Sequence, residues 1–482
     1  MAIYNWRRSH KAPTLIPGAL SENIIVTRYW WVFCFWLKTA RVSIIIIHPT
    51  KRPNMIDKAT REKIISLIHR EVVPALGCTE PIAVSLAVAK ATELLGMQPE
   101  EINLGLSGNI IKNAMGVGIP GTGMIGLPIA IALGSLIGKS EYGLEVLKEV
   151  SPEAVERGKA FIESVPINIK HLPDSPSNLH VDVEVRAQGH SARAVISREH
   201  TLFVLLEKDD EVIFAEEEGS GNGDAQDADD VQLNFRMVFD FATTAPLEEI
   251  RFMKEAQRLN EEAAEFALKG DYGHSLGAMI RNNGMKYMGD STLAHMVEFT
   301  SAACDARMGG ATVPVMSNSG SGNQGITATL PVVVFAKDMN ASEEQMIRAL
   351  TLSHLTSVYI KQSLGRLSAL CGCVVASTGA STAITWLMGG GYEDACAAVK
   401  NMVANLSGML CDGAKPACSM KISSGVSTAL MSAMLAMNGR CVSSIEGIVS
   451  EDVDQTIHNL TLIGKEAMVE TDRQVLEIMT HK

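Results

Sequence analysis

The chain has 482 residues, of which 46% are hydrophobic and 20% are charged, and its formal net charge is −12. This length allows two or three domains, or one large core with an insertion, and the composition is globular rather than disordered. The acidic charge argues against a nucleic-acid partner, because the phosphate backbone requires a basic surface. The nine cysteines are not spaced like a secreted disulfide framework, so we expect a cytoplasmic protein.

The first 54 residues differ in composition from the rest of the chain. Three of the five tryptophans fall between residues 30 and 36, within an apolar stretch that Lys38 and Arg41 interrupt. A membrane helix needs about 20 apolar residues, and a signal peptide needs a cleaner apolar run and a cleavage site. We therefore interpret residues 1–54 as an extension outside the fold, such as an upstream start site would add. A membrane anchor is the alternative, although we expect no membrane partner.

Residues 55–160 are predicted to form the helical N-terminal part of a catalytic body. Apolar residues recur at helical spacing over 57–73, Pro74 ends that helix, and a second helix runs from Ile82 to Leu95. Cys78 lies at the start of the second helix, where the dipole and the free N–H groups favour a thiolate and lower the pKa of the thiol. The alternative is a structural cysteine in a tight turn.

A glycine-rich stretch follows at residues 105–128. It contains Gly116-Val-Gly118-Ile-Pro-Gly121, which matches the dinucleotide-binding pattern as a string. No strand is predicted before this string, and its proline lacks the N–H that a phosphate would need, so we interpret it as a loop between closely packed helices. The polar residues before it are candidates for a pocket lining, with a solvated turn as the alternative: Asn109, Lys112 and Asn113.

Residues 161–240 are predicted to form a small antiparallel β unit inserted into a helical protein. Valines alternate with charged residues over 181–186, the pattern of a half-buried strand, and Asp209-Asp210 marks a turn. The stretch 216–230 is acidic and rich in glycine, which predicts a solvated loop. Residues 241–482 return to helical spacing and complete the catalytic body. The predicted fold class is therefore α+β, predominantly helical with an inserted β domain.

A glycine-rich loop interrupts the second helical part at Met316–Gly325. Hydroxyl and amide side chains among its glycines supply the donors of a nest that can hold a carboxylate, with a plain loop as the alternative. The predicted substrate-binding residues are Ser317, Asn318, Ser319, Asn323 and, from the earlier polar stretch, Asn109.

Five of the nine cysteines fall between Leu370 and Met420, and four of them lie within two residues of a glycine or proline. Such neighbours allow the sulfurs to turn toward a common point, and soft thiolates gathered in this way typically hold an iron–sulfur cluster or zinc. The alternative for any single cysteine is a small buried hydrophobe. The predicted metal ligands are Cys371, Cys373, Cys411 and Cys418.

Four separated motifs together resemble the L-cysteine desulfidase family, which is related to the α-chain of iron–sulfur L-serine dehydratases. The motifs are Pro74–Pro81, Ser317–Gly325, Arg366–Cys373 and Cys411–Lys421. The resemblance implies a [4Fe–4S] cluster held by three cysteines, with the fourth iron open to substrate, and it implies that Cys78 is the catalytic base. The spacing in that family favours Cys371 as the first ligand, whereas the Gly-Cys element of the related serine dehydratases favours Cys373.

The resemblance implies β-elimination of L-cysteine to hydrogen sulfide, pyruvate and ammonia, which needs a base at Cα and a Lewis acid. No histidine lies in sequence beside the four motifs to protonate a hydroxide leaving group, and His354 is expected to be a hydrogen-bonded core residue. We therefore expect a small amino-acid substrate, with L-cysteine preferred over L-serine. A serine dehydratase-type lyase and a non-catalytic binding protein with a four-cysteine zinc site stay as alternatives. A homodimer is the alternative to a monomer.

Overall fold

The computed structural model describes residues 56–216, 230–365 and 368–481. It confirms the predicted α+β class, since most described residues are helical and the strands form one large and one small sheet. The predicted extension at 1–54 lies outside the described residues, as does most of the predicted acidic loop at 216–230. Within the described ranges, no helix combines the length and the apolar character needed to cross a bilayer.

The sequence pattern predicted bounds for two helices: the first covers 58–71 of the predicted 57–73, and the second ends at Leu95 as predicted but begins three residues earlier, at Thr79. In chain order the described α-helices are α1 (Lys58–Glu71), α2 (Thr79–Leu95), α3 (Gly108–Ala114), α4 (Leu127–Ile137), α5 (Pro152–Ser164), α6 (Phe235–Thr244), α7 (Leu247–Ile250), α8 (Lys254–Ala267), α9 (Leu276–Met279), α10 (Met285–Met288), α11 (Thr292–Met308), α12 (Gly322–Asp338), α13 (Glu343–Leu364), α14 (Gly372–Leu387), α15 (Tyr392–Leu406), α16 (Cys418–Met437), α17 (Val453–Leu462) and α18 (Val469–Thr480).

The strands form a six-stranded mixed sheet and a two-stranded sheet. The described strands are β1 (Pro74–Leu76), β2 (Glu101–Leu106), β3 (Ile167–His171), β4 (His180–Ala187), β5 (His190–Ser197), β6 (Phe203–Lys208), β7 (Glu211–Ala215) and β8 (Pro314–Met316). The large sheet has the order β3-β2-β4-β5-β6-β7, in which β2 and β3 are parallel and the other neighbours are antiparallel. It therefore adds one strand, β2, to the predicted β unit at 161–240, whose boundaries stay a prediction.

One face of the large sheet is apolar, as the alternation over 181–186 predicts. The valines of β4 are fully buried, and Val183, for example, pairs in register with the buried Leu104 of β2. Helix α2 packs on β4 and β5, so the helix that begins beside Cys78 also covers the sheet. Burial of this apolar face stabilises the position of α2.

The helical body is built around α14. Every residue of this helix from Cys373 to Thr385 is buried, and α12, α13, α15 and α16 pack against it. Gly379 permits the close approach of α13, because a Cβ at this position would overlap the carbonyl oxygen of Ser353. The N-terminus of α14, and with it Cys371, is therefore held rigidly by the surrounding helices.

The small sheet joins two segments that are distant in sequence. Strands β1 and β8 are antiparallel, with Pro74 opposite Met316, and the backbone N–H of Ser317 donates to the carbonyl of Val73 at 2.8 Å. This pairing connects the segment that precedes Cys78 to the segment that precedes the glycine-rich loop.

Candidate active site

A cavity of about 150 Å³ lies where the N-terminal helices meet the helical body. Seven of the ten predicted site residues line it: Cys78, Asn109, Asn323, Cys371, Cys373, Cys411 and Cys418. Its lining also includes Glu80 from the first turn of α2, Lys112 from α3 and Arg307 from α11. The structure thus gathers residues from four separated motifs around one small space.

Backbone pairing places two of the predicted metal ligands side by side. The N–H of Cys371 donates to the carbonyl of Met409 at 3.0 Å, and the N–H of Cys411 donates to the carbonyl of Ala369 at 2.7 Å. This short antiparallel bridge aligns the two cysteine-bearing segments.

Two helices begin at the cavity beside these segments. Cys371 is the N-cap of α14, and Cys418 is the first residue of α16. The positive end of each helix dipole favours negative charge, which suits thiolates. The backbone N–H of Cys373 also bonds to the sulfur of Cys371 and favours its thiolate form.

Cys373 has a shorter hydrogen bond to a backbone carbonyl than Cys418, whose thiol donates to the carbonyl oxygen of Gly413 at 3.7 Å. The thiol of Cys373 donates to the carbonyl oxygen of Lys421 at 3.2 Å. The sulfur also packs against α16, since a Cβ placed at Gly425 would lie 2.5 Å from it. Although Cys373 belongs to the lining, its sulfur already has a neighbour and a hydrogen bond within the protein.

The donor set fits a metal or cluster that binds soft ligands, although no three described His, Cys, Asp or Glu side chains are arranged as a preformed metal site. Burial first, and then the neighbouring sulfur of Cys411, raise the pKa of Cys371 to about 12. Burial likewise raises the pKa of Cys418. These sulfurs therefore keep their protons until a metal ion displaces them, which is the normal behaviour of thiol ligands. Three adjacent cysteines are the donors that an iron–sulfur cluster uses.

Cys78 is the N-cap of α2, as the sequence predicts, but the predicted lowering of its pKa is wrong. Burial raises the pKa of Cys78 well above its ordinary value, and the carboxylate of Glu80 raises it further. The thiol donates to Glu80 Oε2 at 2.9 Å. The guanidinium of Arg307 opposes this effect and lowers the pKa of Cys78 without overcoming burial.

Arg307 is a buried cation that the sequence analysis did not identify. Its side chain is 4% exposed, and Nη1 donates to Asn323 Oδ1 at 3.1 Å. Its Nε has no hydrogen-bond partner, and Arg307 has no carboxylate partner among the described residues. The guanidinium lies against the start of α12, where a Cβ at Gly322 would overlap it. Two charged residues, Asp305 and Arg307, interrupt the otherwise small and apolar run of residues 301–308, and this is the signal that could have revealed it.

Three further cations line the cavity, namely Lys112, Lys361 and Lys421, and Lys112 and Lys421 each pair with a carboxylate. Lys112 is 2% exposed and pairs with Asp472 of α18, the last described helix. Lys421 pairs with Asp412 and also donates to the carbonyl of Leu410 at 2.7 Å. Arg307 has a buried Nε without a hydrogen-bond partner among the described residues, so it can accept an added anion.

The other predicted substrate-binding residues hold the glycine-rich loop in place and do not line the cavity. The hydroxyl of Ser317 donates to the carbonyl of Val73 at 2.6 Å. Asn318 accepts hydrogen bonds from Ser319 and Gln324, both at 2.9 Å, and donates to the carbonyl of His354 at 3.1 Å. The loop is therefore fixed by its own side chains.

The position of His354 corrects one argument made from the sequence. The ring is fully buried, with Nδ1 3.2 Å from the amide nitrogen of Asn318 and Nε2 2.9 Å from the hydroxyl of Thr329. A histidine therefore does lie beside one of the four motifs. It is nevertheless the core residue that the sequence predicts, because burial lowers its pKa to about 3 and it does not line the cavity.

Comparison with known proteins shows which protein family this chain resembles. The family model described as serine dehydratase alpha chain matches residues 141–477, a range that contains Arg307 and all four predicted ligands. The UPF0597 protein BF3560 of Bacteroides fragilis is 61% identical over 426 residues, which cover 88% of this chain and 99% of that protein. A UPF0597 protein of Porphyromonas gingivalis is 52% identical, covering 88% and 100%, and one of Aeromonas hydrophila is 45% identical, covering 88% and 97%.

The predicted relation to the serine dehydratase α-chain is thereby confirmed. That family is associated with iron–sulfur serine dehydratases, so a lyase-type activity follows for this chain. Together, the residues matched by the family model and those aligned with the relatives cover nearly all of the helical body. The chain belongs to the serine dehydratase alpha chain family and is a homologue of the UPF0597 proteins.

Proposed function

We propose that the protein is an iron–sulfur-dependent lyase that cleaves L-cysteine by β-elimination to hydrogen sulfide, pyruvate and ammonia. One observation carries this proposal: a single small cavity is lined by Cys78, by Cys371, Cys411 and Cys418, and by an arginine with an unused donor. The family assignment supports the lyase chemistry. The choice of L-cysteine rests on the chemistry of the leaving group.

Cys371, Cys411 and Cys418 are the proposed ligands of a [4Fe–4S] cluster. Cys371 and Cys411 are aligned by backbone pairing, and Cys371 and Cys418 lie at helix N-termini. Cys373 is the weaker candidate, because its thiol bonds more closely to a backbone carbonyl than that of Cys418, 3.2 Å against 3.7 Å, and packs on Gly425. When bound, the cluster supplies a Lewis-acidic iron to the cavity.

Arg307 and Asn323 are proposed to bind the substrate carboxylate. The unpartnered Nε of Arg307 offers a charge-assisted hydrogen bond, and Nη1 already holds Asn323 in place. Asn323 lies in the first turn of α12, whose dipole also favours an anion. Ser317, Asn318 and Ser319 contribute by fixing the loop that precedes this helix.

Cys78 is proposed to take the proton from Cα of the bound amino acid. Its sulfur lies in the cavity lining together with Arg307, so a substrate whose carboxylate binds the arginine can present Cα to it. A cavity of about 150 Å³ suits an amino acid of the size of cysteine or serine.

L-cysteine is preferred because sulfide is the better leaving group. A thiol has a pKa of about 8.5, whereas water has a pKa of about 15.7, so departing hydroxide needs an acid far more than departing sulfide does. L-serine is the second candidate, and the description of the matching family favours it.

The test is an anaerobic assay of the cluster-containing protein that measures sulfide and pyruvate formed from L-cysteine. We expect both products at equal rates from the wild-type protein and neither from Cys418→Ala, with brown protein in the first case and colourless protein in the second. Colourless wild-type protein that contains zinc would contradict the proposal and support a structural zinc site. Brown protein without turnover of L-cysteine or L-serine would also contradict it.

A further inference from the structure

The thiol of Cys78 has a carboxylate as its hydrogen-bond acceptor. Cys78 Sγ donates to Glu80 Oε2 at 2.9 Å, and the hydroxyl of Thr79 donates to the same oxygen at 3.2 Å. Glu80 is half-buried in the first turn of α2 and lines the cavity beside Cys78. Among the described lining residues it is the one carboxylate, whereas four are cations: Lys112, Arg307, Lys361 and Lys421.

The hydrogen bond to Glu80 conflicts with the proposed role of Cys78 as a base, because it favours the protonated thiol. Burial and the carboxylate of Glu80 raise the pKa of Cys78, so the sulfur carries a proton in the resting site. A protonated thiol cannot accept a second proton from Cα, and it must first transfer its own proton to another group.

Among the described residues around Cys78, one group can accept that proton. The carbonyl oxygen of Asn113 lies 3.7 Å from Sγ, but an amide oxygen is far too weak a base. Arg307, which faces Cys78 from α11, is a permanent cation without a free lone pair. Glu80 lies on the same helix as Cys78 at hydrogen-bond distance and can take a proton directly.

We propose that Glu80 is a second catalytic residue, which accepts the proton of Cys78 and delivers it to the departing β-substituent. This inference rests on the proposed function and deepens it. Glu80 Oε2 takes the thiol proton as Sγ becomes a thiolate, which the positive charge of Arg307 stabilises.

The resulting cycle balances its protons and electrons. The thiolate of Cys78 takes the proton from Cα, and the electron pair of the broken C–H bond forms the Cα–Cβ double bond. The Cβ–S bond breaks, and its pair leaves with the sulfur as HS⁻. The proton held by Glu80 converts HS⁻ into H₂S, and the site returns to a thiol beside a carboxylate. For L-serine the same proton would convert hydroxide into water, so Glu80 supplies the acid that no histidine of the cavity lining provides.

The test combines turnover with the reactivity of Cys78 in Glu80→Gln. The amide keeps the shape of the side chain but cannot take a proton, so we expect kcat to fall about 100-fold, the usual effect of losing a general acid–base. The negative charge beside Cys78 is also lost, so anaerobic alkylation of Cys78 by iodoacetamide at pH 7 should become faster. Mass spectrometry of the Cys78 peptide measures this rate separately from that of the other cysteines.

The control is Glu93→Gln, which removes a carboxylate from the other end of α2, where Glu93 bonds to Ser140. It should keep wild-type turnover and alkylation. Glu80→Asp retains a carboxylate and should recover part of the activity that Glu80→Gln loses.

In Glu80→Gln we expect Cys78 to be alkylated faster while turnover falls. This combination would show that turnover needs proton transfer by Glu80 and not only formation of the Cys78 thiolate. Wild-type kcat in Glu80→Gln would overturn the inference. Loss of turnover would also overturn it if Cys78 is alkylated more slowly, if the melting temperature falls or if the cluster absorbance is lost. If the wild-type protein cleaves neither L-cysteine nor L-serine, the proposed function fails and this inference fails with it. If the wild-type protein and Glu80→Gln are equally active, only the inference about Glu80 fails.

Discussion

Replacement of Arg307 tests how the cavity binds an amino acid. The side chain is 4% exposed, its Nη1 is engaged by Asn323, and its Nε has no partner. Arg307→Met keeps much of the apolar stem but removes the guanidinium. A hydrogen bond to a charged group contributes about 1.5–3 kcal/mol, so losing the Nε bond to the substrate carboxylate should cost about 10- to 150-fold in kcat/KM.

A second variant moves the guanidinium without removing its charge. A Cβ at Gly322 would overlap Arg307 Nε, and the end of a long side chain can shift to avoid it. Gly322→Ala should therefore raise KM in the same direction as Arg307→Met, by a smaller factor. Gly408→Ala is the matched control, since no atom lies within 4 Å of the position that its Cβ would take.

Steady-state kinetics under anaerobic conditions supply the measurement. Binding that is equal in the ground state and the transition state appears in KM, so KM should rise more than kcat falls. Arg307→Lys should lie between Arg307→Met and the wild-type protein, because it keeps the charge but not the planar fork. An unchanged KM in Arg307→Met, with wild-type cluster absorbance, would refute the assignment of the carboxylate site.

Three further outcomes are expected. Cys418→Ala should abolish the visible absorbance of the cluster, whereas Cys373→Ala should weaken it less; the reverse order would make Cys373 the ligand. Cys78→Ser should keep that absorbance and lose turnover, and loss of absorbance would instead show that Cys78 is a ligand. Asp338 and a second carboxylate raise the pKa of His295 in the folded protein above its ordinary value of about 6.5. The ion pair between His295 and these carboxylates therefore stabilises the fold fully below pH about 6.5, and this stabilisation is lost as pH rises through the folded pKa. The melting temperature of His295→Gln should therefore depend less on pH above 6.5, and identical pH profiles would contradict this sign.

The sequence predicted the residues that carry local signals. Cys78 stands next to a helix start marked by Pro81, and the structure places it at the N-cap of α2. The alternating valines of β4 face one way, as their spacing requires. The separated cysteines share one cavity, because the glycines and prolines beside them form the turns that lead into α14 and α16.

The sequence could not predict what depends on packing between distant elements. The strand β2 was not predicted, because its place between β3 and β4 is set by pairing across the sheet. Arg307 lies inside a helix, and its contact with Asn323 exists only because α11 packs on α12. The pKa of Cys78 depends first on burial and then on Glu80, so the helix dipole alone gave the wrong direction.

Competition between L-cysteine and L-serine tests the central claim most directly. Both amino acids are supplied together to the anaerobic, cluster-containing protein, and sulfide and total pyruvate are followed over time. We predict that sulfide accounts for nearly all of the pyruvate, because sulfide leaves more readily than hydroxide. Pyruvate formed mainly without sulfide would contradict this account and make the protein an L-serine dehydratase.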